Sequence, residues 1–151
     1  HFIAEQVPEK HFIFNDGFCH VHKSIHSEDV KKAKELHPDA LVLAHPECTS
    51  DTLALADFIG STSQIIDYAT ASDSKKFLIC TEMGVFYELM QKNPDKKFFS
   101  VGHRQFCPNM KKVSLDKVLE KLEDLKDEVI LPEEMCEQAK KPLDKMLRLA
   151  Q

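Results

Sequence analysis

A chain of 151 residues, 42% hydrophobic and 30% charged, has the balance of an ordinary globular protein and is long enough to build one good core. Its formal net charge of −5 argues against nucleic acid and against acidic membrane surfaces as partners. No apolar run approaches the about 20 residues that span a bilayer, and no secretory pattern is present, so no membrane partner is expected. The first residue is His1 rather than Met, as in a processed piece or part of something longer.

In chain order, His11-Phe12-Ile13-Phe14, closed by Asn15-Asp16-Gly17, reads as a buried strand ending in a turn. Directly behind it, Gly17-Phe18-Cys19-His20-Val21-His22 puts a thiol and two imidazoles within four residues. Ser27-Glu28-Asp29 opens a helix, with Ser27 as N-cap and two carboxylates suited to the first turn. Val30, Ala33 and Leu36 form its expected buried stripe, and His37-Pro38-Asp39 ends it. The strand Leu41 to Ala44 runs into His45-Pro46-Glu47-Cys48, after which Thr49 or Ser50 caps a helix carrying Leu53, Ala54 and Ala56. Phe58-Ile59 is a short strand leading straight into Gly60-Ser61-Thr62-Ser63 and a helix with Ile65, Ile66, Tyr68 and Ala69. Lys75 to Cys80 is the next strand, Thr81-Glu82-Met83-Gly84 the next junction, and Val85, Phe86, Leu89 and Met90 a helix face ended by Asn93-Pro94. Lys97-Phe98-Phe99 closes the set.

Strands alternating with helices at this spacing imply βαβ units, hence an α/β, three-layer αβα fold around a short parallel sheet. Right-handed crossovers gather strand C-termini on one edge, where Cys19, His22, His45, Glu47, Ser61, Thr62, Thr81 and Glu82 would share a cleft. Beyond Ser114, Leu115, Val118, Leu119, Leu122 and Leu125 recur at helical spacing. Val129-Ile130-Leu131 reads as a short strand, and Pro132 opens a last helix with Met135, Ala139, Leu143, Met146 and Leu147 inward. This C-terminal helical segment is expected to serve packing.

Five widely spaced cysteines in a chain too large to need stapling favour a reducing compartment such as the cytoplasm. Cys80, at the end of an apolar run, and Cys136, on a helix face, read as small buried hydrophobes. Cys19 and Cys107 stand in loop-like settings. Cys19 and His22 have a metal-type spacing, but no C-x-x-C exists, which disfavours a closed zinc site. A metal cluster assembled from separate segments, as iron–sulfur centres are, is the better metal reading. The alternative is a buried thiol beside a helix-proximal polar residue. His45 and Glu47, two apart in extended chain, suit proton transfer with the carboxylate as base, or else Glu47 merely caps the next helix. The Gly60–Ser63 hydroxyls at a helix N-terminus suit an anion, although a simple N-cap explains them equally. It is not a Walker loop, since no Lys follows. Thr81-Glu82 carries the same ambiguity. His1, His11, His26 and His37 read as surface or structural residues, and His103 could line the cleft.

The ordered motifs Gly17-x-Cys19-x-Val21-His22, His45-Pro46-Glu47-Cys48, Ala56-Asp57-Phe58-Ile59-Gly60-Ser61-Thr62-Ser63, Thr81-Glu82-Met83-Gly84-Val85 and Cys107-x-Asn109-Met110-Lys111 resemble quinolinate synthase. The resemblance covers nearly the whole chain. It implies a transferase of de novo NAD biosynthesis that condenses iminoaspartate with dihydroxyacetone phosphate to quinolinate, phosphate and water. It implies a [4Fe–4S] cluster on three cysteines with one open iron acting as Lewis acid. Cys19 and Cys107 match two of those ligands. The third belongs to the family's amino-terminal half, which this chain lacks along with a catalytic tyrosine. Catalytic His22, His45 and Glu47, and substrate-binding His22, His45, Glu47, Ser61 and Thr62, follow from the same matches. In that frame residues 1–19 are the end of a preceding αβα domain, 20–106 an αβα domain, and 107–151 a C-terminal helix-strand-helix segment. Implied partners are the two substrates, the amino-terminal half of the enzyme, and the iminoaspartate-producing L-aspartate oxidase. The chain alone is expected to be inactive or cluster-free. The rival expectation is a non-catalytic α/β module that binds a metal or phosphate.

Overall fold

The structure, a computed structural model, describes residues 1–150. Its elements run α1 (Phe2–Gln6), α2 (His20–Lys23), α3 (Ser27–Leu36), β1 (Leu41–Ala44), α4 (Ser50–Leu53), β2 (Phe58–Ile59), α5 (Thr62–Ala71), β3 (Lys76–Cys80), α6 (Val85–Lys92), β4 (Lys97–Ser100), a 3₁₀ turn (Met110–Lys112), α7 (Leu115–Asp124) and α8 (Glu133–Leu149). The chain divides into two compact units, residues 1–109 and the remainder from Met110.

The first unit is built on a four-stranded sheet of order β2-β1-β3-β4, every pair parallel. Its central pair aligns Leu41 with Phe77 and Ala44 with Cys80. Apart from Lys76 at the start of β3, both strands are continuous apolar runs, as strands covered on both faces are. Side-chain alternation then divides them between two cores. Val42, Ala44, Leu78 and Cys80 point to one face and pack with Ile25 and Val30. Leu43, Phe77 and Ile79 point to the other, against Ile65, Ile66 and Ala69 of α5 and Val85 and Leu89 of α6. The sequence expectation of a three-layer α/β architecture around a parallel sheet is what the structure has.

Several local expectations fail. His11 to Phe14 is not a strand. Among the described residues the sheet is made of β2, β1, β3 and β4 alone, this run pairs with none of them, and Ile13 is 91% exposed. Ring stacking organises it instead, Phe14 lying on His1 at 4.2 Å and on Phe12 at 6.1 Å. An apolar run becomes a strand only where a neighbour satisfies its backbone. Ser27 is the first residue of α3, not its cap, which is His26. The Ser27 hydroxyl donates to Asp51 Oδ2 at 2.7 Å. Leu36 is 77% exposed, because at 100° per residue it is rotated about 120° from Val30.

In the second unit Ser114 caps α7 through the Lys117 N–H, and Leu125 ends it in the left-handed region at φ 49°. Val129 to Leu131 forms no strand and is exposed. Met135, Leu143, Met146 and Leu147, expected inward, are all exposed, as is Cys136. The apolar period of both helices is real. Periodicity sets which residues share a face, not whether anything covers it. Among the described residues no helix is long and apolar enough to cross a membrane.

Candidate active site

The site grows from the C-terminal ends of β1 and β3. His45 extends the β1–β3 pairing by one bond, its N–H donating to Cys80 O at 3.1 Å. A tight turn follows, with the Cys48 N–H on His45 O at 3.0 Å. The Glu47 N–H donates back to His45 Nδ1 at 3.3 Å. That nitrogen is therefore an acceptor, and a neutral ring carries its proton on Nε2. Burial holds the His45 pKa below its ordinary 6.5, helped by the neighbouring His22 and opposed by the Glu47 carboxylate. His45 is thus neutral at physiological pH.

Cys19 and His22 arrive on α2, a single turn whose N-cap is Cys19. Val21 and Ile25, both buried, anchor this turn. Before it, the Asn15 side-chain carbonyl accepts the Gly17 N–H. A Cβ on Gly17 would lie 2.7 Å from that oxygen, so this approach suits glycine. His22 stacks on His45 with ring centroids 4.1 Å apart and planes within 7°. Its Nδ1 lies 2.9 Å from Glu47 Oε2, and its Nε2 lies 2.9 Å from Thr81 Oγ1. A carboxylate only accepts, so Nδ1 carries the proton.

Ligand atoms of Cys19, His22 and Glu47 all lie within 4.8 Å of one another, a group able to hold a metal ion. Cys19 and Glu47 also line a cavity of about 590 Å³, together with Phe14, Gly17, Pro46 and Ile59. Burial pushes the Cys48 thiol up to about 12 and the Cys80 thiol higher still. Those two sulfurs stay protonated in the fold, and the cavity's thiol donor is Cys19.

Cys107 is buried outside that group, and its N–H donates to Glu82 Oε1 at 3.1 Å. It is thereby tied to the residue after Thr81. Ser61 caps α5 in a full capping box with Gln64, Ser61 N–H donating to Gln64 Oε1 at 2.8 Å. Ser61 and Thr62 are exposed at that helix terminus. A Cβ on Gly60 would meet the Phe58 ring at 2.7 Å and Gln64 Cβ at 2.9 Å, so glycine is required for the strand to turn here. The tertiary structure therefore joins His22, His45 and Glu47 directly and sets Cys19 beside them.

Gln105 has no motif around it and escaped the sequence reading. It is 3% exposed, and its amide nitrogen donates to Ile79 O and Thr81 O, both at 2.6 Å. Its side-chain carbonyl accepts the Val101 N–H at 2.6 Å. The carboxamide stands in for backbone just where β3 and β4 stop pairing. Thr81 had a weak signal, a lone hydroxyl directly after an apolar strand.

A parallel sheet with a thiol, two imidazoles and a carboxylate gathered beyond its strand C-termini defines an α/β protein with a candidate site, part of which, Cys19, His22 and Glu47, could hold a metal ion. Residues 1–148 match the family model of the quinolinate synthetase A protein, NadA, and the chain belongs to that family. It is 52% identical over 148 residues to the quinolinate synthase of Caldicellulosiruptor bescii, covering 98% of this chain and 49% of the relative. It is 47% identical to that of Alkaliphilus metalliredigens, covering 98% of this chain and 49% of the relative. The Aquifex aeolicus enzyme is 42% identical, covering 98% of this chain and 48% of the relative. The chain spans about half the length of these curated relatives.

Proposed function

We propose that this chain carries the acid–base half of a quinolinate synthase, acting on iminoaspartate and dihydroxyacetone phosphate to form quinolinate. The observation that carries this reading is the 2.9 Å hydrogen bond from His22, whose ring stacks on His45, to Glu47, which lines a cavity together with Cys19. Glu47 is the general base, its carboxylate half-exposed and held by the His22 Nδ1–H. Neutral His45 presents its Nε2–H as a donor to a substrate oxygen. Ser61, Thr62 and the N-terminus of α5 hold an anionic end of the substrate, since the capping box leaves the Ser61 O–H free to donate.

The donor set fits a thiolate-held iron centre in part. Cys19 and Cys107 would hold a [4Fe–4S] cluster, with the third thiolate supplied by the amino-terminal half of the enzyme. When bound, the cluster supplies a Lewis acid for substrate oxygen. The five cysteines are all free, which suits the reducing cytoplasm. Residues 1–19 would end a preceding domain, and L-aspartate oxidase would supply the iminoaspartate.

Glu47→Gln in the full-length enzyme tests the assignment, with an expected loss of about a hundredfold or more in quinolinate formation. Unchanged turnover would remove Glu47 from the reaction. Iron and sulfide analysis after anaerobic reconstitution, with and without the missing half, tests the cluster. A stoichiometric cluster in the chain alone would overturn the shared-ligand reading. The Cys19–His22–Glu47 group favours one second reading, a non-catalytic zinc module. Both His22 nitrogens are already engaged, so zinc there would cost the His22–Glu47 bond. Zinc bound one to one without iron or sulfide would decide for it.

A further inference from the structure

We propose that Thr81 is a positioning residue for this site: its hydroxyl hydrogen-bonds His22 Nε2 and holds the ring so that the Nδ1 proton, kept there by the acceptor-only Glu47 carboxylate, stays aimed at Glu47. The inference rests on the reading of Glu47 as base but is argued from the hydrogen bonds alone. Thr81 directly follows the last residue of β3 and is 2% exposed. Its Oγ1 lies 2.9 Å from His22 Nε2, in a contact between two buried side chains. With the proton on Nδ1, Nε2 presents a lone pair, and a buried lone pair needs a donor. The Thr81 hydroxyl is that donor.

The lock matters because the other imidazole cannot substitute. His45 Nδ1 is 3.7 Å from Glu47 Oε2, but it already accepts the Glu47 N–H. The opposite tautomer of His22 would set two lone pairs against each other across 2.9 Å, and the half-exposed carboxylate would turn away. Thr81 is itself held, because Gln105 donates to the carbonyls of Thr81 and Ile79. The buried amide thus fixes the hydroxyl, the hydroxyl fixes the imidazole, and the imidazole fixes the base.

The test is the ring tautomer of His22, read by long-range proton–nitrogen correlation in the ¹⁵N-labelled, metal-free chain at pH 7.5. Wild type is expected to carry its proton on Nδ1. Thr81→Val, close in shape but without the hydroxyl, leaves Nε2 without its hydrogen bond and is expected to move the Nε2 resonance away from its wild-type position. Thr81→Ser is expected to restore the wild-type spectrum. A wild-type ring protonated on Nε2, or on both nitrogens, overturns the proposal whether or not the valine variant folds. So does a Thr81→Val spectrum identical to wild type. If the tautomer behaves as expected while Glu47→Gln leaves quinolinate formation intact in the full-length enzyme, the functional reading fails and the positioning role stands.

Discussion

Gln105 offers a direct check on how the site is held. Replacing it by Met keeps roughly the shape and removes the amide. Three hydrogen bonds of 2.6 Å are lost, one from Val101 N–H and one to each of the Ile79 and Thr81 carbonyls. At a net of about 1 kcal/mol each, the variant should be less stable by about 3 kcal/mol. That is a large share of the 5–15 kcal/mol (about) by which a domain is stable. The chain has no Trp, so urea unfolding is followed by far-UV circular dichroism, with the midpoint and slope compared between variants. Hydrogen exchange adds a local readout, since the Val101 amide should lose its protection before the central strands do. A cost below about 1 kcal/mol with the Val101 amide still protected would mean that backbone, not Gln105, satisfies these groups, and the reasoning would fail.

Other expectations concern pH and the cap of α5. His45 resists protonation in the fold, whereas the unfolded chain takes up its proton near 6.5. The unfolded state therefore binds more protons as pH falls below that value, and stability should drop on the acid side. His45→Gln should flatten that limb in unfolding curves taken at pH 7.5 and 5.5. Cys48 has the opposite sign: its thiol is pushed from 9.0 up to about 12, so the unfolded chain ionises first and stability should fall as pH rises between those values. Cys48→Ala should remove part of that alkaline loss, which a pH series of thermal melts would read. Ser61→Ala removes the side-chain acceptor from the α5 capping box and should cost about 1 kcal/mol, while Ser61→Gly should cost only a few tenths (about). A Ser61→Ala variant as stable as wild type in urea titrations would show that the Ser61 hydroxyl does not cap.

Hydrophobic patterning carried the architecture. Leu41–Ala44 and Phe77–Cys80 are apolar without interruption because both faces are covered, and that alone predicts central parallel strands. The motif order likewise pointed to one family, which residues 1–148 match. Where a local signal depended on a partner, the sequence misled. His11 to Phe14 and Val129 to Leu131 read as strands, yet neither pairs in the sheet. The stripes of α7 and α8 have the period of buried faces and remain exposed.

The candidate site divides along the same line. Residue type and spacing named Cys19, His22, His45 and Glu47, because thiols, imidazoles and carboxylates after strands are rare enough to notice. Only the tertiary structure decided that His22 bridges Glu47 and Thr81, residues 25 and 59 positions further along the chain. It alone decided that His45 accepts from its own turn, that Cys48 and Cys80 are silenced by burial, and that Gln105 replaces missing backbone between β3 and β4. Proton placement and donor strength depend on distances of a few ångströms between residues remote in sequence. Periodicity encodes which face a residue takes, but not who waits on the other side.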